Sequence, residues 1–273
     1  MDKVKSFRIF LKQMNWLVQL VRAFNYCVFR MRLLGVTCIY LIAGDKRLPP
    51  PKLRYQVHRA LDEESYSAVG QLVAKQLATL LESLNAVSAS RRLLDFGCGP
   101  GRVLIPLSQR LPQLEYYGCD TNDTAILWAK NNASQIGTFS VIQPGNETPY
   151  STNYFDLIIC NSVFTHLDEE MQDFLLVELY RLLKPDGLLF ATVHGEKTFR
   201  HCSEREIREL NNRGFTFRVE QRRWFKLDQL PAYYQTAFHT EEYIRNHWGK
   251  YFKTAHFVEG GLADHHDLWV LRK

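Results

Sequence analysis

Between Leu93 and Gly101 the chain reads LLDFGCGPG, an apolar run that reaches Asp95 and then carries Gly97, Gly99 and Gly101 at alternate positions. Glycine tolerates positive φ and leaves backbone bare to an approaching ligand. The stretch is therefore expected to cradle a nucleotide-like cofactor, with Asp95, Gly97, Cys98, Gly99 and Gly101 around it. A dinucleotide fingerprint would place its third glycine where this chain has Arg102, which argues against NAD and FAD. A second acid, Asp120, ends the aromatic and apolar stretch LEYYGCDTN. It falls about 20 residues beyond the glycine turn, the separation at which a doubly wound sheet sets a carboxylate on ribose hydroxyls. Asp120 and its neighbour Thr121 join the expected cofactor set, and Asn122 or Asp123 can cap the helix that follows.

These residues need strands to hold them. Leu93 and Leu94 read as a buried strand, and Arg102 to Leu111 as the helix after the turn. Phe155 to Cys160 reads as a buried parallel strand and Leu167 to Lys184 as an amphipathic helix. Lys184-Pro185-Asp186-Gly187 is the turn that ends it, before a further strand from Leu188 to Val193.

On the segments LDFGCGPGR, SVFTHL and TVHGE, the chain resembles the class I S-adenosylmethionine-dependent methyltransferases over about Tyr66 to Lys273. The combination is similar to the branch that tailors small molecules and glycans. The resemblance implies an α/β fold, a Rossmann-like doubly wound sheet of seven strands in the order 3-2-1-4-5-7-6 with the last strand antiparallel. It also implies S-adenosylmethionine as cofactor. Many relatives carry an acid after the third strand to hold the adenine amino group; here QPGNETP offers Asn146, whose amide oxygen can accept such a bond or which can serve simply as a turn residue.

In such a fold the ligand crevice opens at the carboxyl ends of the strands. That rule selects Asn161, Ser162 and His166 after the fourth strand, and His194 and Glu196 after the fifth. Asn161 is expected on the cofactor. His166 is the leading candidate for a proton acceptor, since imidazole titrates near neutrality; its alternative is a supporting role at the start of the following helix. A lid-like insertion at about 196–239 can roof the pocket, and its Tyr233, Tyr234, Phe238 and His239 offer flat apolar faces with polar tips suited to a sugar ring or an aromatic acceptor. The chain ends in two strands read as joined by Gly260-Gly261, with His265, His266 and Asp267 at the mouth of the hairpin. His265 is expected to touch substrate. No metal is expected, because adjacent histidines in a strand point to opposite faces.

The activated methyl of the implied cofactor leaves the protein to align a nucleophile and exclude water. O-methylation of a saccharide or small polyol hydroxyl, assisted by His166 or His239, is the expected reaction. The fourth strand ends CNSVF, without the Asn or Asp followed by Pro-Pro of many amino-methylating relatives, so nucleic acid is an unfavoured partner. The competing reading is a non-catalytic methyltransferase-fold scaffold.

The 273 residues suffice for one large α/β core with appendages. Six cysteines, with no C-x-x-C pair, read as small buried hydrophobes of a reducing compartment. Residues 1–60 hold twelve basic and two acidic residues, a net +10 within a chain of net +5, so residues 61–273 carry −5. The first segment reads as a basic amphipathic helical arm followed by a Pro-rich linker, and the second as the methyltransferase domain. Phe7, Phe10, Leu11, Met14, Leu17, Val18, Val21 and Phe24 recur at helical spacing opposite Arg8, Lys12, Asn15, Gln19 and Arg22. The apolar run Leu33 to Gly44 that follows falls short of the ~20 residues of a membrane span. Neither a transmembrane helix nor a cleaved signal peptide is expected. The arm either lies on an anionic membrane surface or packs on protein, which gives a cytoplasmic enzyme with a peripheral seat on the inner face of a membrane as the first of two arrangements. Pro49-Pro50-Pro51 reads as a stiff linker, and about Asp62 to Leu84 as a helix. Oligomeric state is not legible.

Overall fold

The computed structural model describes the backbone of residues 2–219 and 234–273, and the side chains of Leu17 and of the described residues from 20 onward. Among these, residues 2–63 form one compact unit, and residues 64–219 with 234–273 form the other.

The larger unit is built on a seven-stranded sheet. Its strands are β1 (Arg92–Phe96), β2 (Glu115–Asp120), β3 (Gly137–Val141), β4 (Phe155–Cys160), β5 (Leu183–Val193), β8 (Lys253–Leu262) and β9 (His266–Arg272), in the order β3-β2-β1-β4-β5-β9-β8. A separate antiparallel pair, β6 (Phe215–Arg218) with β7 (Thr236–His239), belongs to the insertion. Counted without that pair, the main sheet has the order 3-2-1-4-5-7-6, and its last strand in sequence, β9, runs antiparallel to both neighbours.

Alternation along the strands divides the core into two layers. Leu93, Leu157, Ile159, Phe190, Leu268 and Val270 face one side, against α3 (Glu63–Ser83), α4 (Leu104–Arg110) and α5 (Asp123–Ala133). Leu94, Ile158, Cys160, Leu189, Ala191, Trp269 and Leu271 face the other, against α6 (Glu169–Leu182) and α8 (Glu241–His247). Each near-continuous apolar run is thus explained by burial on both faces. Side chains fix the helix starts: Asn122 caps α5 at Ala125 N, Asp168 caps α6 at Met171 N, and Thr240 caps α8 at Tyr243 N. α7 (Glu204–Arg213) begins in a reciprocal capping box between Ser203 and Glu206.

Three local expectations change. Lys184-Pro185-Asp186-Gly187 does not precede β5 but bulges within it: Phe155 pairs with Leu183, Leu157 pairs with Leu188, and Asp186 takes φ +61°. The β8–β9 hairpin turns at Ala263 and Asp264, both at φ +52°, rather than at Gly260-Gly261, which lie inside β8. Two positive φ values in succession give the mirror-image turn whose twist matches a hairpin, and Ala-Asp lacks the glycine that would have advertised it. Finally, Pro51 does not belong to a linker. It opens α2 (Pro51–His58), a position where its fixed φ and missing N–H cost nothing.

In the N-terminal unit, α1 is a single helix from Asp2 to Ala43. It runs through Arg30 and Arg32 without a break, so its apolar length must be counted from further back. Leu20–Ala43, 24 residues with mean hydropathy 1.5 and 6% buried, is long and apolar enough to cross a membrane, which corrects the expectation drawn from the Leu33–Gly44 run alone. Phe29 of α1 packs on Tyr55 of α2 with ring centroids 4.5 Å apart. The buried Arg54 guanidinium donates to the carbonyls of Pro49 and Leu61 and to Glu63, closing the unit's turn.

Candidate active site

Strand order reverses between β1 and β4, and the crevice lies off the carboxyl ends of these strands. Gly97, Gly99 and Gly101 all take positive φ, at +81°, +54° and +84°. Their amides are not left for a ligand: Gly97 and Cys98 donate to the Cys119 carbonyl, Gly99 to the Asp120 carboxylate, and Gly101 to the Cys98 carbonyl. The glycine turn is thereby lashed to the end of β2. What glycine supplies is room, since a Cβ on Gly97 would stand 2.7 Å from the Val163 side chain. The Cys98 side chain is buried beneath the turn and donates to the Gly99 carbonyl, and burial pushes its thiol well up.

Two carboxyls converge on this turn. Asp95 is 3% exposed, and burial together with the nearby Asp120 pushes it up to about 7, against a smaller opposing pull from the Arg102 guanidinium. Asp120 accepts from Gly99 N at 2.7 Å and from Asn122 N at 2.8 Å. Burial raises its pKa, while the backbone amides of Asn122, Gly99 and Thr121 pull it down. Thr121 thus contributes an amide to the acid, and its side chain is exposed. Asn161 is half-buried directly after β4. Asn146 is exposed in a turn closed by its own amide on the Gln143 carbonyl.

Four histidines meet past the ends of β4 and β5 and at the start of β9. His166 sits in the short 3₁₀ turn Phe164–His166, half-buried, with Nδ1–H donated to the Gln235 carbonyl at 2.6 Å and Tyr234 stacked on its ring at 3.8 Å. His194, just past β5, donates Nδ1–H to the Ala237 carbonyl at 3.0 Å; burial lowers its pKa to about 4. His265 is exposed beside the hairpin turn, and His266 opens β9 with Nδ1 3.4 Å from Ser162 Oγ. Burial, then His194 and His265, lower the pKa of His266 to about 2. The proton assignments follow from the hydrogen-bond network.

His239 is not in this group. It is 1% exposed, packed among Phe215, Tyr243 and Trp248, with Nε2–H donated to Gln172 Oε1 at 3.1 Å and a pKa lowered by burial to about 3. Its burial argues against a catalytic base: β7 turns its ring inward among apolar neighbours, while the backbone carbonyls of Gln235 and Ala237 meet His166 and His194. Tyr233 lies outside the described residues.

A profile described as a methyltransferase domain matches residues 94–191, the span from β1 through β5. The chain is 28% identical over 173 residues to a malonyl-[acyl-carrier protein] O-methyltransferase of Bacillus cereus, covering 63% of each chain. It is 32% identical over 116 residues to a tRNA N(3)-cytidine methyltransferase of Danio rerio, covering 40% of this chain and 33% of that one. Among solved structures, a SAM-dependent methyltransferase from Methanosarcina mazei superposes with TM-score 0.51 and 18% identity over 70% of this chain and 96% of its own. Residues 94–191 thus carry a methyltransferase domain, and the chain is similar to the class I S-adenosylmethionine-dependent methyltransferases. It spans little more than half the length of a further relative of the same name from Bacillus anthracis, 56%, at 26% identity.

Within this methyltransferase family the cofactor is S-adenosylmethionine, and the crevice is chemically matched to it. A ligand bringing an ammonium, a sulfonium and ribose hydroxyls meets the buried Asp95 carboxyl and the half-buried Asp120 carboxyl, both of whose pKa values burial raises. Asp120 would hold the ribose, Asp95 would answer the positive charge, and Gly97 would leave the approach open. Sequence reasoning missed Arg102 as part of the site. The signal was Gly70 in α3, where a Cβ would stand 2.6 Å from the Arg102 carbonyl oxygen, so the helix can press onto the turn only through glycine. It also underweighted His266, because the hairpin turn was placed too early.

Proposed function

We propose that the protein transfers the methyl group of S-adenosylmethionine to an oxygen of a small-molecule or saccharide acceptor, with His166 taking the acceptor's proton. The observation that carries this reading is the His166 Nδ1–H bond to the Gln235 carbonyl. It puts the proton on Nδ1 and the lone pair on Nε2, the tautomer a general base needs. Tyr234, stacked on the same ring, holds its orientation and brings an aromatic face of the kind that suits a sugar ring.

When bound, the cofactor supplies a methyl already activated by its sulfonium, so the chain's part is alignment and exclusion of water. Asp120 and Asp95 would orient the cofactor, and His166 would accept the hydroxyl proton as the methyl passes from sulfur to oxygen, its bond to sulfur breaking and S-adenosylhomocysteine leaving. The O-methyltransferase names among the relatives favour oxygen as the acceptor atom, and the CNSVF end of β4 weighs against nucleic acid. The test is label transfer from S-adenosylmethionine to a panel of saccharides, polyols and carboxylic acids. His166→Gln should lower kcat by about 10²- to 10⁴-fold with cofactor affinity unchanged. Transfer only to amines would sink the oxygen reading, and cofactor affinity too weak to measure would favour the non-catalytic scaffold.

A second reading concerns where the acceptor is presented. Exposed apolar side chains along α1, among them Phe24 (68%) and Ile42 (86%), together with Arg22, Arg30 and Arg32, support association with an anionic membrane on its cytoplasmic side, and with it a lipid-linked acceptor.

A further inference from the structure

The histidines at the mouth of the hairpin do not obey strand alternation. The turn falls at Ala263 and Asp264, so His265 precedes β9 and only His266 belongs to it. Both rings therefore point toward the end of β5, with centroids 4.5 Å from one another and 5.9 Å and 5.0 Å from His194. One ring nitrogen from each of His194, His265 and His266 lies within 4.8 Å of the other two.

We propose that His194, His265 and His266 form a binding site for a divalent transition metal of the zinc class. Three imidazoles are a donor set that suits such ions, and they leave a tetrahedral ion one position open. A tetrahedral ion with nitrogen ligands holds them about 3.4 Å apart, so the three rings would draw together on binding, His265 by rotation at its exposed position. The site also has the outer support such ligands require. His194 donates Nδ1–H to the Ala237 carbonyl, which fixes the ring and leaves Nε2 as the donor atom toward a metal. His266 Nδ1 lies 3.4 Å from Ser162 Oγ, a longer contact on the same side of its ring. The hairpin that presents His265 and His266 is itself clamped: Asp267 accepts from Gly260 N at 2.8 Å, and Gly195 is glycine where any Cβ would collide with the Asp267 carboxylate.

The His166 ring stands 6.2 Å from that of His194, so the ion would border the proposed base. An acceptor hydroxyl taken at the open position would be acidified next to His166; this role, unlike the site itself, rests on the methyl-transfer reading above.

The experiment is titration of tag-free, chelator-stripped full-length protein with Zn²⁺ by calorimetry and with Co²⁺ by visible absorption, in the absence of S-adenosylmethionine and acceptor. Saturable binding with the intense spectrum of four-coordinate cobalt is expected. His265→Asn, at an exposed position where folding is not at stake, should weaken it at least tenfold, and His194→Gln likewise. His256→Gln, an exposed histidine of β8, should leave it unchanged. Absent binding, or binding that survives both His265→Asn and His194→Gln, overturns the site. Because cofactor affinity is measured separately, failure of the metal site and failure of the methyltransferase reading cannot be mistaken for one another.

Discussion

Gly99 donates its amide to the Asp120 carboxylate at 2.7 Å, so the turn after β1 and the end of β2 are held as one piece. The same carboxylate accepts from Asn122 and is the group expected to meet the ribose. Asp120→Ala should therefore have two effects. Cofactor affinity should fall by roughly a hundredfold, and the ligand-free protein should lose about 1–3 kcal/mol from the unsatisfied amides. Calorimetry and denaturant unfolding read the two separately; unchanged affinity in a folded variant would remove Asp120 from the site.

Asp95 gives cofactor binding a pH dependence. Its pKa of about 7 in the ligand-free protein reflects burial and the neighbouring acid, and a cationic ligand favours the ionised form. Binding should strengthen as pH rises toward 7, weaken about tenfold for each unit below it, and release a proton near neutrality. The stability linkage has the opposite sense: a pKa raised on folding contributes stability that is present below the unfolded value of 3.8 and lost as pH climbs to about 7. Asp95→Asn should thus flatten the pH profile of binding and weaken it, yet raise the melting temperature of the ligand-free protein at pH 8. A binding profile of the same slope in that variant would contradict the assignment.

His166 and His239 should separate cleanly. His239→Ala opens a cavity and leaves the Gln172 amide oxygen without its donor, and should cost about 2–4 kcal/mol of stability with little change in kcat for the folded fraction. His166→Gln should do the reverse. A fully folded His239 variant with kcat lost would restore the catalytic role that its burial denies.

Gly195 and Asp267 form a steric pair. Gly195→Ala should displace the Asp267 carboxylate and with it the hairpin, lowering the melting temperature by several degrees. Asp267→Ala in the same chain should recover part of that loss, a positive coupling in a double-mutant cycle. Additive losses would mean that the two sites act independently.

The arm is tested on anionic vesicles. Full-length protein should float with them, and Phe24→Glu combined with Ile42→Glu should stay behind. Equal recovery of both would remove the basis for a membrane-facing acceptor.

What the chain made legible follows periodicity and local chemistry. β4 is legible from Phe155 to Cys160 because a strand buried on both faces is a continuous apolar run, and the cap of α5 is narrowed by residue type to Asn122 or Asp123, of which the fold uses Asn122. The acids Asp95 and Asp120 were found from their distance to the glycines. The misplacements occurred where backbone did something unadvertised: an Ala-Asp hairpin turn without glycine, and a four-residue bulge inside β5. The Leu33–Gly44 run taken alone understates the apolar length of α1, which continues through the exposed Arg30 and Arg32, since long basic side chains sit comfortably on an exposed helix. His239 looked like a base because residue type says nothing about which way a short strand turns it. Pairwise features such as Gly70 against Arg102 or Gly195 against Asp267 lie far apart in sequence and come together only through the fold.

The central claim is that this crevice binds S-adenosylmethionine, and calorimetric titration of the full-length protein with S-adenosylmethionine and S-adenosylhomocysteine tests it most directly. Saturable binding of each, mutually competitive and weakened in Asp120→Ala, is the result expected. A well-folded protein that binds neither, with or without candidate acceptors present, would contradict it.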